Sequence, residues 1–344
     1  MARRTLGGVT MLRCPACRGT LQVDATALGC ESCRASYPVM EGGIPMFALE
    51  GDAVSADAQR FWASLYDAAY GDRHAALDAV TLPGMLDRLE RLFAHRRHLA
   101  AVEMPRDLRG LDVLEIGSGA GGHSAVFARR GARMTSLDLT PDRVLATARK
   151  FDLLEGIDAM ALQGDAARLP FADASFDIVY SNGVLHHTPR IREAVREVHR
   201  VLKPGGRAII MLYARNSLLY RGVLLPVRGI LQGGIFRDKR WLGHSTEWMS
   251  EKPQQVKNPW TEVFSGAEAR ELFGDFASIQ LRKNSFTFSQ IPVIGKPLEK
   301  LTGRATGYND AGVLVYDAPW RNETSLELAL SPVIGWGLNI VATK

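Results

Sequence analysis

The stretch Leu111-Asp-Val-Leu-Glu-Ile-Gly-Ser-Gly-Ala-Gly-Gly122 joins a short apolar run to a cluster of glycines. The apolar run, 111–117, reads as a buried strand. The residues behind it, 122–131, read as a helix closed by Gly131. Glycines at such a junction let the chain turn tightly and let backbone approach a ligand. The helix start adds free N–H groups and the positive end of its dipole. Outward from this point, short apolar runs and helical stretches alternate. Strands are expected at 132–139, 159–165, 176–182 and 207–213, with helices at 141–151 and 191–202. The helix at 141 starts on a proline, and Lys203-Pro-Gly-Gly206 reads as a turn. Such alternation implies an α/β fold, a mostly parallel sheet with helices on both faces.

After Tyr213 the alternation lapses until a helix near 265–274, a strand near 277–283 and a final strand near 335–343. The intervals 214–264 and 285–334 are long insertions. Both follow strands whose C-terminal ends face the ligand crevice of an open parallel sheet, so they read as a substrate lid. Ahead of the sheet, helices are expected near 56–70 and 84–103, and 51–57 reads as a linker. Three parts result: a module at 1–50, a helical cap at 51–110 and the α/β unit at 111–344.

The glycines alone are ambiguous, because Gly117, Gly119 and Gly122 also fit a dinucleotide-binding G-x-G-x-x-G pattern. Asp138 stands about 20 residues on, where a carboxylate accepts from ribose hydroxyls in either reading. The surroundings separate the two. Glu115 stands two positions before the first glycine. Then follow Gly164-Asp-Ala-Ala-Arg-Leu-Pro-Phe171, Phe176-Asp-Ile-Val-Tyr180, Val184-Leu-His-His187 and Val201-Leu-Lys-Pro-Gly-Gly206. In this order, residues 111–213 resemble class I S-adenosylmethionine-dependent methyltransferases. The last strand also looks like that family's antiparallel one.

The resemblance implies a Rossmann-like sheet of seven strands and a set of cofactor contacts. Gly117, Ser118, Gly119 and Gly121 would line the amino-acid part of S-adenosylmethionine, with Glu115 toward its ammonium. Asp138 and Leu139 would meet the ribose, and Asp165 and Ala166 the adenine edge. Ser181 and Asn182 would lie near the sulfonium. His186 and His187 are the candidates for a general base, and Tyr213 and Asn216 for substrate contacts. Phe61, Trp62, Tyr66 and Tyr70 lie on a helix that either covers the cofactor or forms a plain core stripe.

The fourth-strand motif Ser181-Asn-Gly-Val184 lacks the Asn/Asp-Pro-Pro-Tyr/Phe pattern that family enzymes use on planar amino nitrogens. No cysteine outside 14–33 is present to serve arsenic chemistry. The expected acceptor is therefore a small molecule methylated on oxygen or carbon: lipophilic, quinone-like or a natural product. The apolar stretch 216–231, with sparse arginines, suggests a lipophilic substrate or a membrane-surface contact, or else an ordinary buried cap helix.

Cys14-Pro-Ala-Cys17 and Cys30-Glu-Ser-Cys33 are the chain's four cysteines. Two C-x2-C knuckles present four thiolates to one ion, which suits structural zinc rather than a disulfide framework. Residues 11–49, including Tyr37-Pro-Val-Met-Glu-Gly-Gly-Ile-Pro45, resemble the small zinc-ribbon protein that activates tRNA and protein methyltransferases. The ribbon here reads as a fused version of that subunit.

The 344 residues carry 46% apolar and 23% charged side chains and a net charge of +5. This composition suits a soluble, cytoplasmic protein and permits anionic partners without demanding them. Two other functions stay open: an rRNA or tRNA base methyltransferase, and a non-catalytic activator of another methyltransferase. Nucleic acid is the less favoured partner, and oligomeric state is not legible.

Overall fold

The computed structural model describes residues 11–24, 26–40, 42–47, 56–65, 76–247, 257–306, 308–309 and 320–344. The N-terminal module is a four-stranded antiparallel sheet, β1 (Leu21–Val23), β2 (Ala27–Cys30), β3 (Ser36–Met40) and β4 (Ile44–Pro45), in sequential order. A helix, α1, spans 56–65. Residues 51–55 of the expected linker, and Tyr66 and Tyr70, lie outside the described residues, while 56 and 57 are already helical. The helix expected over 84–103 is two: α2 (Thr81–His95) and α3 (Leu99–Val102). Arg97 breaks it with a φ of 48°, and the His98 ring caps α3 by accepting from the Ala100 N–H at 3.1 Å.

The central strands are β5 (Asp112–Ile116), β6 (Arg133–Asp138), β7 (Asp158–Gln163), β8 (Phe176–Asn182) and β9 (Leu202–Tyr213). They are joined by α4 (Gly122–Arg129), α5 (Pro141–Asp152) and α6 (Ile191–Val201). The unit continues through α7 (Gly234–Arg237), α8 (Gly266–Leu272), β10 (Ser278–Asn284) and α9 (Gly295–Thr306). It ends with β11 (Tyr308–Asn309), β12 (Trp320–Arg321), α10 (Ser325–Ile334) and β13 (Gly337–Thr343). Seven strands form one sheet in the order β10-β13-β9-β8-β5-β6-β7. All neighbours are parallel except β13, which runs antiparallel to both β9 and β10. The chain winds outward through β6 and β7 on one side of β5 and through β8 and β9 on the other. The order therefore reverses between β5 and β8, where open parallel sheets bind ligands.

One expected turn is absent. Residues 202–206 belong to β9, because Leu202 pairs with Phe176 and the glycines bond to the last residue of the chain. Gly205 N–H donates to the Lys344 carbonyl at 3.0 Å, and Lys344 N–H donates to Gly206 at 3.0 Å. The 214–264 insertion holds a π-helical segment, Tyr220–Leu231, with Pro226 inside it, followed by α7. The 285–334 insertion holds α9, α10 and the β11–β12 pair. No described helix is long and apolar enough to cross a membrane.

The N-terminal module shares the core on one face of the sheet. Leu12, Leu28, Tyr37 and Phe47 belong to the same buried cluster as Leu162, Phe171 and Val179. Backbone completes the join. Ala172 N–H donates to Met11 at 2.7 Å, and Phe47 N–H to Gln163 at 3.0 Å, so the chain at Met46 runs parallel to the exposed edge of β7.

Candidate active site

A cavity of about 570 Å³ opens at the C-terminal ends of β5, β6 and β8. The glycine turn forms its floor, with Gly117, Ser118, Gly119 and Ala120 on the wall. Gly117 sits at φ 75°, and a Cβ there would overlap the Val184 side chain, so backbone is the only thing that fits. Gly121 does not reach the cavity wall. It ends the turn at φ 76° and packs on α5, where a Cβ would meet the Thr147 Cα at 2.8 Å.

Asp138 ends β6 and is 5% exposed. One carboxylate oxygen accepts from the Gly119 N–H and the other from the Thr140 N–H, both at 2.9 Å. Burial raises its pKa, while Arg143 and the two N–H groups oppose the shift. Glu115 is more deeply enclosed, hydrogen-bonded to the Ser124 hydroxyl, which also meets Ser136 at 2.6 Å. Burial pushes its pKa up to about 8. Leu139, Asp165 and Ala166 also line the cavity. Asp165 accepts from the Ala167 N–H at 2.8 Å and is paired with Arg190, so its carboxylate is already engaged.

At the other end the wall is His187, Tyr213, Glu247, Trp336 and Asn182. The Nδ1 of His187 lies 3.1 Å from the Trp260 carbonyl, with Thr261 Oγ1 at 3.0 Å and Asn258 Nδ2 at 3.2 Å. A carbonyl only accepts and an amide N–H only donates, so Nδ1 meets one partner of each kind. Nε2 has no hydrogen-bond partner among the described residues. Burial lowers the His187 pKa, which keeps the ring neutral. The Tyr213 hydroxyl donates to Glu247, and its ring packs 4.3 Å from that of Trp336.

Besides Gly121, three expected site residues are not brought to the cavity. Ser181 is fully buried and donates to the Ile116 carbonyl at 2.9 Å. His186 is sealed beside the Tyr213 ring, 3.8 Å away, and off the cavity wall. Asn216 is exposed and accepts from Arg221 at 2.6 Å, because the chain turns away after β9 at the Ala214–Phe264 bridge. Helix α1 faces both the cavity and the core. Ala58, Trp62 and Leu65 line the cavity while Phe61 is core. Arg143 locks Trp62 in place, donating to its carbonyl at 2.9 Å with the guanidinium 5.4 Å from the ring. Glu247, Thr287 and Gln290, from the two insertions, are wall residues that sequence reasoning missed.

Away from the cavity, the four Sγ atoms of Cys14, Cys17, Cys30 and Cys33 lie within 4.8 Å of one another. Cys14 and Cys33 are 3.6 Å apart, and Cys17 and Cys30 3.4 Å. Tetrahedral zinc with bonds of about 2.3 Å needs sulfurs about 3.8 Å apart, so the donor set fits.

Residues 114–210 match the family model described as "Methyltransferase domain", and residues 10–42 match "Trm112p-like protein". The order of the two matches, ribbon first, is that of a Trm112-like segment ahead of a methyltransferase-like one. It is 38% identical over 122 residues to a fatty-acid O-methyltransferase of Mycolicibacterium smegmatis, covering 35% of this chain and 43% of that one. It is 30% identical over 158 residues to a demethylmenaquinone methyltransferase of Staphylococcus epidermidis, covering 43% and 64%. A solved complex containing the Haloferax volcanii Trm112 methyltransferase activator aligns over 77% of this chain and 93% of that one, at 22% identity and a TM-score of 0.43. This chain spans between 22% and 64% of the length of the curated relatives it matches.

Proposed function

We propose that this chain moves a methyl group from S-adenosylmethionine to oxygen or carbon of a lipophilic small molecule. Residues 111–344 would do the chemistry, 51–110 cap the cofactor, and 1–50 form a zinc-held ribbon docked in cis. The observation that carries the reading is the glycine turn closing on Asp138. A buried carboxylate there is fixed by two backbone N–H groups yet still lines the cavity, which suits a ribose diol. Gly117, Ser118 and Gly119 leave room for the amino-acid arm, with Glu115 behind it. Leu139, Asp165 and Ala166 flank the adenine end, and Asn182 and Val184 the sulfonium end. Gly121 shapes the turn without contact.

When bound, the cofactor supplies a methyl on a sulfonium, already activated for in-line displacement. The protein's part is to align the acceptor and exclude water. Trp62, Leu65 and Trp336 do the excluding. His187 Nε2 takes the acceptor proton as the methyl leaves sulfur for the acceptor, with the ring positioned at Nδ1 by Trp260, Thr261 and Asn258. Glu247 on the same wall opposes an anionic acceptor, so a neutral hydroxyl or carbon acid fits better than a free carboxylate. The relatives named for demethylmenaquinone and fatty acids favour the lipophilic class. Four thiolates leave zinc no open position, so its role is structural.

Calorimetric titration of S-adenosylmethionine and S-adenosylhomocysteine tests the reading. Asp138→Ala should weaken binding by about 1–3 kcal/mol, the scale of hydrogen bonds to a charged group. No binding by folded wild-type protein would remove the methyltransferase reading.

A further inference from the structure

We infer that the tips of the two cap insertions dock on the surface of an anionic lipid bilayer. The first tip is the end of the π-helical segment together with α7. Leu231 is 82% exposed and Phe236 77%, with Ile230 and Ile235 also in solvent. These four form one patch. The Gly233 N–H donates to the Ile230 carbonyl at 3.0 Å and that of Phe236 to Gly233 at 3.2 Å. The Ile235 side chain reaches the Gly229 backbone. Beside the patch stand the exposed Arg237, against Gly233, and Arg228, bonded to Gln232 at 3.1 Å. Between 221 and 240 the chain also carries Arg221, Lys239 and Arg240 against Asp238 as its one acidic residue, although Lys239 and Arg240 line a separate pocket with Glu262, Glu268 and Glu271. Asp238 is itself paired with His244 and Arg240.

The second tip repeats the pattern on the other insertion. Val293 is 95% exposed, with the exposed Ile294 next to it and Leu301 eight positions on, and Lys296, Lys300 and Arg304 exposed on α9. Topology sets both insertions on one side of the molecule. β10 is antiparallel to β13, which is antiparallel to β9, so β9 and β10 run the same way. Both insertions leave from the C-terminal end of the sheet, where Tyr213 and Ser285 line the cavity.

Large apolar side chains in water are costly and mark contact surfaces when they cluster. Apolar tips ringed by lysine and arginine match the interfacial region of a membrane, where the side chains enter the acyl boundary and the cations meet anionic headgroups. A second copy of the chain fits less well. A two-fold contact would press each patch's arginines against their own equivalents. Nucleic acid would engage the cations and leave Leu231 and Phe236 in water. The inference does not need the methyl-transfer reading.

Co-sedimentation of the full chain with phosphatidylcholine vesicles, with and without phosphatidylglycerol, tests it. The chain should pellet with the anionic vesicles, less so at high salt. Leu231→Ser with Phe236→Ser should weaken binding about a hundredfold, since each buried side chain counts for about tenfold. Arg228→Gln with Arg237→Gln should weaken it about fivefold per charge, on anionic vesicles alone. All four positions are exposed, and circular dichroism checks that the variants fold. Failure to pellet with either vesicle would overturn the inference, as would unchanged binding by the Ser variant. So would a dimer in analytical ultracentrifugation that the Ser variant dissolves while vesicle binding is untouched.

Discussion

Glutamine in place of Glu115 should change how both stability and cofactor binding respond to pH. Glu115 is 2% exposed, and its pKa rises from an ordinary 4.5 to about 8, chiefly through burial and slightly through Asp138. Between those values the ligand-free folded protein holds a proton that the unfolded chain has released. The contribution of Glu115 to stability is therefore fully present below pH 4.5 and is lost as pH rises toward 8, by up to about 5 kcal/mol. Glu115→Gln cannot titrate and should lack that slope, so it should be the more stable protein at pH 8. An ammonium brought beside the carboxyl favours its charged form and expels the proton. At pH 7 about 0.9 proton should leave for each cofactor bound, and Kd should fall about tenfold per pH unit below 8. The assay is calorimetry of S-adenosylhomocysteine, which keeps the ammonium, at pH 7 in phosphate and in Tris. The dependence of the measured enthalpy on buffer ionisation counts the protons. Equal enthalpies for wild type in the two buffers would refute the reasoning, as would the same difference in Glu115→Gln.

His187→Gln should slow methyl transfer about 10²–10⁴-fold, the usual contribution of a positioned base, while S-adenosylhomocysteine affinity stays constant. The wild-type rate at saturating cofactor should be lost only as pH drops below 6.5, because burial depresses the His187 pKa and the neutral ring is the active form. The exposed Cys17 and Cys33 should resist a thiol reagent as purified and all four cysteines should react after chelation. Immediate reaction of the two exposed thiols in zinc-loaded protein would count against a metal held by all four.

What the sequence made legible was whatever depends on neighbours along the chain. The glycine turn, Asp138 and the strand–helix alternation are local patterns, and apart from the start of β9 the strands of the large sheet fall within a residue or two of where apolar runs place them. Misses arose where a distant partner decides. Residues 202–206 look like a turn until Lys344, at the far end of the chain, supplies their hydrogen bonds. Asp165 looks free until Arg190 arrives from the start of α6. Ser181 and Asn182 were both expected at the sulfonium, yet neighbours in a strand point to opposite faces, and only Asn182 lines the cavity. His186 and His187 also divide, but on the helical turn Leu185–His187, where only His187 reaches the cavity. Glu247 sits in an insertion with no periodic pattern, so nothing local marked it.

The strip of chain along β7 has a consequence for how this protein fails. A ribbon supplied as a separate subunit would hold that edge only in proportion to its concentration; tethering makes coverage a unimolecular event, independent of dilution. The same tether links metal supply to colloidal behaviour. If the thiolate cluster empties and the ribbon lets go, Gln163 and its neighbours become an open template for strand pairing between molecules. Zinc starvation of this chain would then register as turbidity that grows with protein concentration.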